Sequence, residues 1–133
     1  MLGGFIMAIQ YLLIDDILIK MAINEPSIED FTVNNILYAV GLDQRFYLEV
    51  FRYLMTKRDY CLIPKKILLC PNNHKGETFL LSEPIDDEEQ FFCWVCGENY
   101  YYNPDSTIIA FSFTQEFKEQ AKKKQRRLKV ACI

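Results

Sequence analysis

The sequence predicts an α+β fold in which helices come first, a small β unit follows and a basic helix closes the chain. Three observations lead there. Apolar residues recur at spacings of three and four up to about Thr56. From Tyr60 the pattern changes to short runs rich in β-branched and aromatic residues, punctuated by proline and glycine. The end of the chain is dominated by lysine and arginine. At 133 residues, half of them hydrophobic, the chain can bury roughly two thirds of its unfolded surface, enough for one modest core.

Ile6, Ile9, Leu13, Ile17 and Met21 mark a helix over about residues 5–24. Leu12, Leu18 and Ile19 widen its apolar surface, so it is expected to pack on more than one side or to meet a partner. Pro26 ends it. Ser27 or Thr32 can cap a second helix reaching to about Ala39, with Asp30 three after Ser27 as a capping box. Gly41 supplies a tight turn. A third helix runs from about Asp43 to Thr56 with Phe46, Val50, Phe51 and Leu54 inward. Strand character begins in Tyr60–Leu69 and returns in Thr78–Leu81, Gln90–Cys93, Tyr100–Tyr102 and Thr107–Phe113, with the acidic stretch Glu83–Glu89 as a solvated loop. Strand alternation turns Tyr101 away from Tyr100 and Tyr102. The final helix, Gln115 to about Lys129, is anchored by Phe113, Phe117, Ala121 and Leu128.

Three helices with a glycine turn between the second and third, then a strand hairpin, resemble a winged-helix domain across residues 5–69. The run Asn35–Tyr47, with Ala39, Gly41 and Leu42, resembles its helix-turn-helix core. The resemblance implies a third helix able to touch nucleic-acid phosphates through Arg45, Arg52, Lys57 and Arg58, with Lys65 and Lys66 in a wing. Glu49 lies four after Arg45 and three before Arg52, so the same face can neutralise itself.

The strongest chemical signal is Cys70-Pro-Asn-Asn-His74, followed by Cys93-Trp-Val-Cys96-Gly97. Closely spaced ligands can bend around one ion, glycine after the last cysteine relieves the backbone there, and thiolates with an imidazole are donors that tetrahedral zinc accepts. The pattern resembles a zinc ribbon, and implies one structural zinc per chain held by Cys70, His74, Cys93 and Cys96. It departs from the usual ribbon in its first knuckle, where histidine replaces a cysteine and three residues rather than two separate the ligands. The expected division is a winged-helix-like unit at 1–69, a zinc-ribbon-like unit at 70–113 and a basic helix or tail at 114–133. Cys61 and Cys132 remain as inert thiols, and an odd count of five cysteines argues against a disulfide framework.

The formal charge of −3 conceals an asymmetry: residues 1–117 hold 8 basic against 17 acidic residues, and residues 118–133 hold 7 against 1. An acidic body repels nucleic acid at long range. The tail, through Lys122, Lys123, Lys124, Arg126 and Arg127, can hold nucleic acid, an acidic protein or the acidic body of its own chain, or simply aid solubility. Reaction chemistry is not expected: the single histidine belongs to the metal pattern, Glu98 reads as an exposed acid, and no zinc-protease helix, phosphate loop or serine nucleophile motif occurs. No Lys or Arg precedes the apolar stretch of the first helix, and Asp15, Asp16 and Lys20 interrupt it, so neither a signal peptide nor a transmembrane segment is expected and the chain is read as cytoplasmic. The function expected is a noncatalytic zinc-stabilised adaptor that docks onto a larger protein assembly. The alternative is a DNA- or RNA-binding regulator using the winged-helix-like unit and the tail.

Overall fold

The structure, a computed structural model, describes residues 10–24 and 28–131, with side chains described as far as residue 124. Helix α1 (Tyr11–Ala22) buries Ile14, Leu18 and Ala22. That stripe falls one residue after the predicted Leu13, Ile17 and Met21, of which Leu13 is exposed and the other two half-buried. The helix is apolar on nearly all sides, so periodicity alone leaves its facing ambiguous by one step of about 100°. Ile6, Ile9, Pro26 and Ser27 lie outside the described residues.

Helix α2 (Val33–Val40) is capped reciprocally: Thr32 Oγ1 accepts from the Asn35 amide at 3.2 Å, and the Thr32 amide donates to Asn35 Oδ1 at 2.8 Å. The box is therefore Thr32 with Asn35, while Asp30 reaches toward Lys65, Nζ to Oδ1 4.0 Å. Gly41, left-handed at φ 74°, closes the helix as predicted. A 3-10 turn at Gln44–Phe46 leads into helix α3 (Tyr47–Met55), which buries Val50 and Leu54.

Five strands follow: β1 (Leu62–Leu69), β2 (Lys75–Leu80), β3 (Gln90–Phe92), β4 (Asn99–Tyr101) and β5 (Thr107–Phe113), and helix α4 (Gln115–Ala131) comes last. Four helices and two small antiparallel sheets make a mixed α+β architecture among the described residues. The larger sheet has the order β2-β1-β5, and β3 pairs with β4 in the smaller. β1 pairs with β5 from Leu62 opposite Phe113 to Leu68 opposite Thr107. On the far side of β5, Phe31 exchanges both backbone hydrogen bonds with Phe111, at 2.9 and 2.8 Å.

Two apolar clusters form. The larger gathers Ile14, Leu18, Phe31, Val33, Ile36, Leu37, Val50, Leu54 and Leu62 with Phe111 and Phe113 of β5 and Ala121 of α4. The smaller contains Leu68, Cys70, Phe91, Cys93 and Tyr100. β5, grouped by sequence with the metal-ligand segment, thus packs its last residues in the helical core. No helix among the described residues is long and apolar enough to cross a membrane.

Candidate metal centre

β1 runs out of the helical core and delivers Cys70 at its end. The chain reverses through Pro71, Asn72 and Asn73, and His74 precedes β2. The Cys70 amide donates to the His74 carbonyl at 3.1 Å and the Asn73 amide to the Cys70 carbonyl at 2.8 Å. Asn73 takes a left-handed conformation, φ 64°, which asparagine tolerates better than most residues. This turn absorbs the extra residue that set the first knuckle apart. The second knuckle repeats the design between β3 and β4: the Cys93 amide donates to the Glu98 carbonyl and the Gly97 amide to the Cys93 carbonyl, both at 2.8 Å. Gly97 sits at φ 76° with open space where a Cβ would stand, so its requirement is conformational rather than steric.

The two turns face each other and bring Cys70, His74, Cys93 and Cys96 together, with one ligand atom from each all within 4.8 Å of one another. Cys70 Sγ lies 3.4 Å from His74 Nδ1 and 3.8 Å from Cys96 Sγ, and Cys93 Sγ lies 3.7 Å from the same Nδ1. A tetrahedral zinc with bonds of about 2.3 Å to sulfur and about 2.0 Å to nitrogen would place sulfurs ~3.8 Å apart and sulfur ~3.5 Å from nitrogen. The group is thus close enough to hold a metal ion and compatible with a single structural zinc, the imidazole presenting Nδ1. Cys70 and Cys93 are buried and the other two ligands half-buried.

Backbone amides stabilise negative charge on the sulfurs. The Cys93 thiol is held below its ordinary pKa, mainly by the Cys96 amide, and the Cys96 thiol by the Glu98 amide, then by the His74 and Asn72 side chains. Cys70 is pushed up by burial, which the His74 and Asn72 amides oppose. Asn72, whose Nδ2 also lies 3.5 Å from Glu98 Oε2, was not singled out from sequence. Its position between two ligands is the only signal that could have marked it.

Beneath the ligands, Phe91 and Tyr100 face each other across β3 and β4, ring centroids 5.8 Å apart. The Tyr100 hydroxyl is buried with no hydrogen-bond partner among the described residues and lies against Gly76 of β2, in the place a Cβ would occupy. Burial pushes its pKa up, and the Glu77 amide opposes this without reaching hydrogen-bond geometry. Tyr101 is exposed and Tyr102 half-buried, as strand alternation required for Tyr101.

Several of the cations considered for nucleic-acid contact are engaged within the chain. Arg45 is bound by Asp43, with Nη2 to Oδ2 at 2.9 Å and Nε to both carboxylate oxygens at 3.1 Å, so its acid is Asp43 at the start of the turn rather than Glu49. Lys57 pairs with Asp15 at 3.1 Å and lies over the Tyr53 ring. Lys65 is turned to Asp30, and Lys66 lies 6.0 Å from the centroid of the Tyr102 ring. Arg52 and Arg58 line a shallow depression with Met55, Asp59 and Tyr60. Lys122, Lys123 and Lys124 are exposed on α4, and the side chains of Arg126 and Arg127 lie outside the described residues. Cys61 is half-buried with its thiol pKa raised by burial; Cys132 lies outside the described residues. No protein-family model matches the chain, and no curated protein or solved structure matches it.

Proposed function

We propose that the chain is a noncatalytic adaptor, a winged-helix-like body carrying a zinc-ribbon-like unit, that docks onto a larger protein assembly in the cytoplasm. The winged-helix reading is supported by the order α1, the Phe31 bridge, α2, α3, β1, β5, with β5 lying between Phe31 and β1. In this reading β1 and β5 are the wing strands and the metal-binding unit is an insertion between them. The ribbon reading is supported by the two knuckles, each turning between antiparallel strands or their extensions.

Zinc is the ion best suited to three thiolates and one imidazole, and four protein ligands leave no position for a reacting water. The site spends the chain's only histidine and three of its five cysteines on architecture. The observation that carries the adaptor reading is the surface: Leu12, Tyr38, Tyr60, Trp94 and Val95 are large, apolar and well exposed. Against nucleic acid as the main partner stands the engagement of Arg45, Lys57 and Lys65 by carboxylates.

The test is native mass spectrometry of the protein isolated gently from its own cells. One zinc per chain and a defined protein assembly are expected, and Cys93→Ser should lose the ion. A zinc-loaded monomer or dimer without protein partners, binding nucleic-acid probes with a steep salt dependence, would turn the function to the nucleic-acid alternative.

A further inference from the structure

The small β3–β4 ribbon has two faces of opposite character. One carries Phe91 and Tyr100 into the smaller core. The other carries Phe92 and, two residues beyond its cross-strand partner Asn99, Tyr101, so these two rings sit diagonally on the same exposed face. Trp94 at the knuckle extends the patch, its ring edge-on to Phe92 with centroids 4.8 Å apart. Exposure is 41% for Phe92, 87% for Trp94 and 55% for Tyr101, and Val95, next along the knuckle, is exposed at 71%. The knuckle hydrogen bonds from Cys93 and Gly97 hold Trp94 and Val95 out on a fixed turn. Rigid, exposed aromatic rings lose little freedom on binding, which suits them to anchor a partner.

The charge of the segment that carries them is one-sided. Residues 83–101 contain six carboxylates and no lysine, arginine or histidine. Glu88 and Glu89 stand at the end of the ribbon where β3 begins, and Glu98 stands at the knuckle end just before β4; all three are exposed. Phosphates are repelled by such a rim. Two copies of the chain meeting through this face would bring the same carboxylates together. A guanidinium or ammonium is attracted both by the carboxylates and by the faces of the exposed rings.

Resting on the adaptor reading, we propose that the outer face of β3–β4, through Phe92, Trp94, Val95 and Tyr101, docks a basic segment of a partner protein in which arginine or lysine side chains alternate with aliphatic ones. The aliphatic groups cover the aromatic patch, and the cations meet the rings and the Glu88, Glu89 and Glu98 rim.

Trp94 is the only tryptophan in the chain, so its fluorescence reports on this face alone. The metal-loaded full-length chain is titrated with a short synthetic peptide alternating arginine and leucine. A saturable shift of Trp94 emission is expected, weakening with added salt, with affinity lowered about tenfold by Tyr101→Ala or Phe92→Ala while the metal stays bound. No shift, or an equal shift with a glutamate–leucine peptide, overturns the proposal. So does a shift produced by single-stranded DNA, or by concentrating the chain alone, which would make nucleic acid or a second copy the occupant. A chain carrying Phe92→Ala, Trp94→Ala and Tyr101→Ala that still enters its native assembly with full metal content would refute this face and leave the adaptor reading standing. A wild-type chain with no assembly would refute the adaptor reading, and the peptide titration would still judge the face.

Discussion

Gly76 and Tyr100 meet at one point, where the side chain of one requires the other to have none. A Cβ on Gly76 would collide with the Tyr100 hydroxyl, come within 3.1 Å of its Cζ and stand 3.4 Å from the Leu68 carbonyl oxygen. Tyr100 is buried and packed against Phe91 beside the candidate metal site. Gly76→Ala should therefore cost about 1–3 kcal/mol in urea unfolding of the metal-loaded protein, the usual penalty of overpacking. Tyr100→Phe removes a buried hydroxyl that has no hydrogen-bond partner among the described residues, and should be close to neutral by itself. Combined with Gly76→Ala it should recover part of the loss; a double variant no more stable than Gly76→Ala would show that the collision is not with the hydroxyl. The Cys70, His74, Cys93 and Cys96 cluster was legible because each half of it is a local pattern, cysteine and its partner within a few residues of each other. The Gly76–Tyr100 contact joins β2 to β4 across the chain and leaves no trace in local spacing. Asn73 was equally silent, since its left-handed turn shows only once the longer first knuckle is closed.

At the scale of elements, α1 is joined to α3 and the turn after it by a polar link beside the Tyr11–Tyr53 ring contact. Tyr53 donates its hydroxyl to Asp15 at 2.6 Å, and Lys57 Nζ lies 3.1 Å from the same Oδ1. Both Asp15 and Lys57 are partly shielded from solvent. Asp15→Asn should cost about 1–2 kcal/mol, because the partly exposed ion pair is lost while the amide Oδ1 can still accept from Tyr53 in a weaker, uncharged bond. Burial lowers the Lys57 pKa, but Asp15 outweighs it and the net shift is upward from 10.5. Tyr53 is raised by burial and then by its bond to Asp15. Groups with raised folded pKa values give stability that is complete below their unfolded values and lost as pH rises through the folded ones. The difference between wild type and Asp15→Asn should accordingly be flat from pH 7 to 9 and narrow above about pH 10.5; a difference that persists there would remove Lys57 from the account. The elements themselves were largely legible, because helix and strand periods differ and Gly41 marks its turn. The facing of α1 was not, because Leu12, Leu13, Ile14, Ile17, Leu18 and Ile19 are interchangeable to a pattern, and tertiary packing against α2 and α4 selects among them. Thr32 was one of two caps compatible with the sequence; the side chain of Asn35 completes the box there.

Across the whole molecule, one strand connects two cores of different origin. β1 begins at Leu62 among helices that pack by apolar burial and ends beside Cys70, where the smaller cluster includes two of the candidate ligands. Sequence order suggested successive units, since nothing local reveals that β5 pairs back with β1 after the metal-binding segment has been made. That return has a consequence for metal removal. The larger cluster draws on α1, α2, α3, β1, β5 and α4, none of which supplies a ligand within its packed residues. The smaller one has two of the ligands among its five buried residues and only short strands to support it. A structural zinc of this donor type would contribute on the order of 10 kcal/mol to the fold that forms its site, more than Leu68, Phe91 and Tyr100 supply together by burial at about 1.5–3 kcal/mol each. Chelation should therefore unfold the segment from Cys70 to about Asn103 while α1, α2, α3 and the β1–β5 ladder stay folded. Hydrogen exchange followed by mass spectrometry reads this directly: protection of the β3 and β4 amides should vanish with chelator and return with zinc, and protection of Ile36, Val50 and Phe111 should persist. Simultaneous loss in both regions would mean that the helical core depends on the ion, and that the two clusters fold as one cooperative unit.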